Sequence, residues 1–230
     1  MDKSIYVQRL DKIQSEIGRN LLKPNGFKKK GRSFNRETVD HLVQVIAFQI
    51  GQSYFGDSNK FSVHIGIRVP ESFEKTFGEP KQIKNFYQCY DCNIVTCLNN
   101  GTLGYSAYKS CNGVSYNAKM FLLDSDDIQP VADEISQMIE KQVLPYFDDM
   151  DTREKVLVNR TKYHAKYKEF ELSNTIDLDE AMIYGHAGNI KKATQIIQNR
   201  YDFYNNEHHK EYLENLSKEL GIALITKHTQ

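Results

Sequence analysis

Two runs decide the fold of this chain: HLVQVIAFQI, residues 41–50, and FSVHIGIRV, residues 61–69, joined by a connection rich in Gly, Ser, Asp and Asn. In the second run Phe61, Val63, Ile65, Ile67 and Val69 alternate with Ser62, His64, Gly66 and Arg68. A period of two marks a half-buried strand. Setting Ile50 opposite Phe61 brings Phe48 to Val63, Ile46 to Ile65 and Leu42 to Val69, so one face of the hairpin is almost wholly apolar. A slip of one residue would turn that face to water, which fixes the register.

Outward from this hairpin, Ile5–Leu22 repeats apolar residues every three or four positions and predicts an amphipathic helix, capped by Asp2 and ended by Pro24. Phe27–Arg36 reads as one strand leading into the hairpin. Glu71–Pro80 reads as a short helix or ordered loop, and Tyr87–Leu98 as a further strand. Asn99-Asn100-Gly101 is a hairpin signal, with strands expected at Leu103–Tyr108 and Tyr116–Leu123. A helix then runs from Ile128 to Val143 until Pro145 breaks it, and Asp151–Glu154 opens another with a capping-box pattern. Beyond Tyr163 the pattern is helical: Leu178–Gly185, Ile190–Tyr201, and Lys210–Leu220 ending at Gly221, with a last strand possible at Ile222–Thr226. The expected architecture is an α+β domain over residues 1–150, an antiparallel sheet with helices packed on one face. A small all-helical C-terminal region, residues 151–230, follows it.

Composition narrows the function classes. Lys plus Arg and Asp plus Glu both number 30 in 230 residues, giving a formal net charge of zero. That removes the global electrostatic argument for a nucleic-acid or acidic-membrane partner. No apolar run approaches the 18 residues of a membrane span, and Met1–Leu10 carries charge where a signal peptide is apolar. The expectation is a soluble cytoplasmic protein, without a membrane partner.

Few residue patterns carry chemistry. Cys89-Tyr90-Asp91-Cys92 is a lone C-x-x-C, whereas structural zinc sites pair two such knuckles. If Tyr87–Leu98 is a strand, its two thiols point to opposite faces and no metal is held; a turn at Tyr90-Asp91 would reverse that geometry. Gly26–Ser33 has the spacing of a phosphate loop, but Arg32 stands where the loop needs lysine. His208-His209 diverge by about 100° on a helix, and Asp148, Asp149 and Asp151 are explained by helix-start chemistry. No cofactor is expected.

Two surfaces remain. On the predicted strand Lys28, Lys30, Arg32 and Arg36 share parity with Phe34, a basic stripe beside a ring that could track phosphates and stack a base. Lysines also guard edge strands against pairing. The second surface is the hairpin's reverse face, where Gln49 and its neighbours oppose Ser62, His64, Gly66 and Arg68. His64 and Arg68 stand roughly 13 Å apart on the strand rise, suited to lining a shallow groove. Asp40, the nearest carboxylate in sequence, lies on the wrong face to serve a general base.

Four stretches resemble a bacterial family known as domain of unknown function 4304. They are Leu21–Gly31, Ser33-Phe34-Asn35-Arg36, the strands Val45–Gln52 and Phe61–Val69, and Val143-Leu144-Pro145-Tyr146-Phe147-Asp148. The likeness spans about residues 1–155. Where the family would place aromatic bulk, often Trp, near the penultimate strand, this chain has Lys119-Met120-Phe121-Leu122. The resemblance implies an α+β domain and brings no catalytic residue. Genes of such families often lie beside toxin and immunity genes, which implies a binding role.

The reading is a non-enzymatic protein-binding module, immunity-like, that meets another protein through the sheet face (His64, Arg68, Gln49) or the basic strand (Lys28, Lys30, Arg32, Phe34, Arg36). Nucleic-acid binding through Lys28–Arg36 is the alternative. A hydrolase or transferase would need a site assembled only in three dimensions.

Overall fold

The structure is a computed structural model that describes residues 4–53, 56–70, 85–92, 94–98, 104–105, 118–164, 173–204 and 206–225. The described residues fall into two compact units, one holding those of Met1–Arg68 and Gln82–His164, the other those of Val69–Lys81 and Ala165–Gln230. No helix among them is long and apolar enough to cross a membrane. The expected helix or loop at Glu71–Pro80 lies outside the described residues.

The first unit is built on the predicted hairpin. Strands β3 (Val43–Ser53) and β4 (Gly56–Arg68) pair antiparallel with Ile50 opposite Phe61, Phe48 opposite Val63 and Ile46 opposite Ile65, and the register holds to Val43 opposite Arg68. A bulge between Ile50 and Gln52 shifts the pairing near the turn. Around this pair stand β1 (Lys28–Lys30) and β2 (Ser33–Glu37) on one side, and β5 (Ile94–Cys97) and β6 (Gly104–Tyr105) on the other. A seventh strand, β7 (Phe121–Leu122), also pairs with β4. Every pairing is antiparallel.

Phe27–Arg36 is not one strand. Lys30 pairs with Ser33 across a tight turn at Gly31-Arg32, because Gly31 adopts φ +59°, a conformation glycine takes without a Cβ clash. Tyr87–Leu98 is likewise interrupted. Cys89–Asp91 winds into a 3₁₀ turn, in which the Asp91 carboxylate accepts the Gln88 N–H at 2.8 Å, and the strand begins only at Ile94.

Helices cover the apolar face of the sheet. Helix α1 (Ile5–Ile17) begins at Ser4, whose hydroxyl accepts the Val7 N–H at 3.3 Å, so the cap is two residues later than the expected Asp2. It buries Leu10, Ile13 and Ile17 against β3 and β4 and packs beside α2 (Gln129–Met138). Rings of Phe34, Phe48, Phe61 and Phe121 form a continuous chain beneath, with centroids 6.0, 6.3 and 5.4 Å apart. Both helices end in a π turn that immediately precedes a proline. The Lys23 N–H bonds the Gly18 carbonyl at 2.9 Å before Pro24, and the Leu144 N–H bonds that of Ile139 before Pro145. A proline ring collides with the carbonyl four residues back in a regular helix, and widening the preceding turn relieves the collision. Pro145 therefore does not break the chain's helix. It continues as α3 (Leu144–Asp148) and delivers Phe147 to the core.

Polar side chains interrupt the apolar layer at Gln14, Gln44 and Thr96, all buried. Gln44 is fully buried; its amide donates to the Phe147 carbonyl at 2.8 Å and its oxygen accepts from Arg36 Nε at 2.7 Å. Helix α4 (Arg153–His164) starts where expected, but its cap is Thr152, whose Oγ1 accepts the Lys155 N–H, and Asp40 Oδ2 accepts the Arg153 N–H at 2.7 Å.

The second unit holds helices α5 (Ser173–His186), α6 (Ile190–Phe203) and α7 (Glu207–Glu219), packed through Ala181, Met182, Ala193, Ile197, Leu213 and Leu216. Gly188, at φ +83°, turns α5 into α6, and Asn189 caps the latter. Residues 222–225 form no strand, since Gly221 closes α7 with the Ile222 N–H folded back to the Ser217 carbonyl at 2.7 Å.

Replacing Gln44 with Leu would keep its volume but leave the Phe147 carbonyl and Arg36 without that partner. The expected loss is about 1–3 kcal/mol, read as a lower denaturation midpoint at unchanged slope.

Candidate functional site

The reverse face of the hairpin is closed. The segment 85–92 lies over it as a strap, and His64 and Arg68 beneath are each only 2% exposed. Polar bonds fasten the strap: Asn35 exchanges two hydrogen bonds with the Tyr87 backbone, at 2.9 and 2.6 Å, and the Ser33 hydroxyl donates to Gln88. Arg68 donates to the Asp91 carbonyl at 3.3 Å, and its guanidinium lies 4.4 Å from the Tyr87 ring centroid. Because Cys89–Asp91 is a 3₁₀ turn, both thiols come to the same side and face Gly66. The sequence expectation of opposite faces is overturned. Even so, no three His, Cys, Asp or Glu side chains among the described residues stand where they could hold a metal. Burial pushes both thiols upward, Cys89 and Cys92 alike, so they stay protonated and inert.

The Ser62 hydroxyl and His64 Nε2 lie 2.8 Å apart, the spacing of a nucleophile and its base. Both groups are buried beneath the strap. His64 Nδ1 has no partner among the described residues, and burial lowers the imidazole's pKa to about 4, so the ring is neutral at ordinary pH. Cys97, its cross-strand neighbour, is fully buried too.

The basic segment is divided by the turn at Gly31. Lys28 and Lys30 pair with Asn35 and Ser33 and lie on the strap side of the sheet, while Lys29 pairs with Phe34 on the helix side. Phe34 is buried at 2% exposure, packed between Gly18 and the Lys29 ammonium 5.6 Å from its centroid. Arg36 is engaged internally: it lies 4.9 Å over the Phe27 ring and reaches Gln44, Asn25 and Asp148. The expected stripe of cations beside an accessible ring therefore does not exist as one face. What the fold does bring together is Lys28, Lys30 and Arg32 around the hairpin tip. Gln49 is exposed beside them, since the Phe48 N–H before it bonds the Arg32 carbonyl at 2.9 Å.

Sequence reasoning missed two further exposed cations, Arg19 and Lys23, in the segment that joins α1 to the root of β1. The signal was present: from residue 17 to residue 36 the chain has seven Lys and Arg and no Asp or Glu. In the second unit a shallow groove of about 470 Å³ runs between Glu180 and the α6 residues Lys192, Ile196, Asn199, Arg200 and Phe203. None of the predicted site residues lines it.

Two outcomes follow from the closed face. A Cβ on Gly66 would stand 2.6 Å from Cys92 Sγ and 2.8 Å from its Cβ, so Gly66→Ala should lift the strap and lower the melting temperature by several degrees. The unfolded His64 imidazole takes a proton near pH 6.5, the folded one near 4. Stability should fall as pH drops across that window, by about 3 kcal/mol in all, and this component should vanish in His64→Gln when unfolding is followed against pH.

No curated protein matches the chain, and no solved structure does. A family model described as domain of unknown function (DUF4304) matches residues 19–149, from the end of α1 through α3 and more than half of the 230 residues. The sheet, its strap and the basic hairpin all fall inside that span, and the chain belongs to the family of domain of unknown function 4304.

Proposed function

We propose that the chain is a non-enzymatic protein-binding module, immunity-like in acting by occupying a partner, and that it does so with the β1–β2 hairpin and Gln49. One observation carries this reading: all three residues of β1, Lys28, Lys29 and Lys30, are exposed on an outermost strand, while the other nominated surface is buried. An enzyme is disfavoured by the same burial, since Ser62 and His64 sit under the strap, out of reach of a substrate. Nucleic-acid binding loses its stacking platform, because Phe34 and Phe27 are both in the core. A short lysine-bearing edge also resists pairing with other sheets, which fits contact through side chains rather than an added strand.

The test is affinity purification of the tagged full chain from its host after mild cross-linking, with nuclease treatment. A protein should be retained after nuclease and be lost with the Lys28→Ala, Lys30→Ala, Gln49→Ala variant. Retention of nothing, or of material that nuclease removes, overturns the reading.

A further inference from the structure

Resting on that binding reading, we infer that the partner meets this chain with an acidic protein surface, held by five cations around the outer edge of the β1–β2 hairpin: Arg19, Lys23, Lys28, Lys30 and Arg32. The chain as a whole is neutral, yet residues 17–36 contain no carboxylate side chain. Neutrality is thus reached by segregating charge.

The fold keeps these cations together. Phe34 lies between Gly18, at the end of α1, and the ammonium of Lys29, so the backbone beside Arg19 and the hairpin meet on one ring. The Phe27 N–H bonds the Leu22 carbonyl at 3.0 Å, tying the segment that carries Lys23 to the root of β1. Arg19, Lys23 and the three β1 lysines are exposed, and Arg32 is half-buried. Arg36, the seventh cation of the run, is taken up by Gln44, Asn25 and Asp148 and is not part of the patch.

The kind of anion follows from what surrounds the charge. A single-stranded nucleic acid needs exposed rings for its bases, and both phenylalanines of the run are buried. An anionic membrane is gripped best when apolar side chains insert beside the lysines, and no exposed large apolar residue falls between 17 and 36. A protein partner, which the binding reading requires, supplies its anions as a cluster of carboxylates, and three residues of strand span about 10 Å of it. Association through such a patch is steered by long-range attraction and weakened by salt.

The probe is a fluorescent peptide of ten glutamates, titrated with the full chain at about 50 mM and about 300 mM salt. A ten-nucleotide single strand serves as comparison, and the variant is Lys23→Glu, Lys28→Glu, Lys30→Glu. These side chains are exposed, so the variant's melting temperature should match the parent's and certify its fold. The peptide should bind at low salt, weaken at least tenfold at high salt, and weaken at least tenfold in the variant. No peptide binding at low salt, equal binding by the variant, or tighter binding of the oligonucleotide each overturns the inference. The partner captured from the host separates the two claims. A protein lost with the Lys28→Ala, Lys30→Ala, Gln49→Ala variant, while the parent fails to bind the glutamate peptide, leaves the binding module standing and removes its acidic partner; retention of no protein removes the module itself.

Discussion

The pairing of β3 with β4 supports two interiors at once. On one side Ile46, Phe48, Val63 and Ile65 face the layer of α1; on the other, Val45, His64, Gly66 and Arg68 lie beneath the strap. A one-residue slip would drive an imidazole and a guanidinium into the helical layer and push four branched or aromatic side chains against Tyr87 and Asp91. Each error alone is unfavourable by several kcal/mol. Together they leave a single workable register. Gly66 marks how tight the second interior is, because the strap seats Cys92 in the space where a side chain would stand.

The two interiors are held by different chemistry. The helix side is mostly apolar, with Gln14, Gln44 and Thr96 buried among its side chains; Gln44 joins β2, β3 and the end of α3 through Arg36 and the Phe147 carbonyl. The strap side is fastened by hydrogen bonds from β2 and from Arg68, over only a small apolar cluster of Val45, Cys89, Cys92 and Val95. The strap thus relies on polar satisfaction, where unmet partners carry the larger penalty.

Much of this was legible in the amino-acid order. Alternation at Phe61–Val69 gave the register, and the helical spacing of Leu10, Ile13 and Ile17 gave the layer above it. Asn189, Thr152 and Gly221 announced helix ends through their own side chains or lack of one. The misreadings share a cause: local pattern does not report what lies across the fold. Period two continues through Gly31 although the backbone reverses there, so Lys28 and Phe34 have matching parity and opposite faces. Nothing in Cys89–Asp91 says that it will cover Gly66, and without that cover His64 and Arg68 read as a groove. Pro145 reads as a stop because the π turn that accommodates it is a property of the backbone, not of a motif.

Helix α1 gives the family's boundary a physical meaning. The recurrent sequence begins at residue 19, yet Leu10, Ile13 and Ile17, all at most 1% exposed, roof the apolar side of the sheet. A fragment trimmed to the shared span would open that roof and present bare Ile and Phe side chains to solvent, an invitation to aggregate. The folded unit of this chain therefore reaches beyond the matched span, and α1 is the lid that completes it.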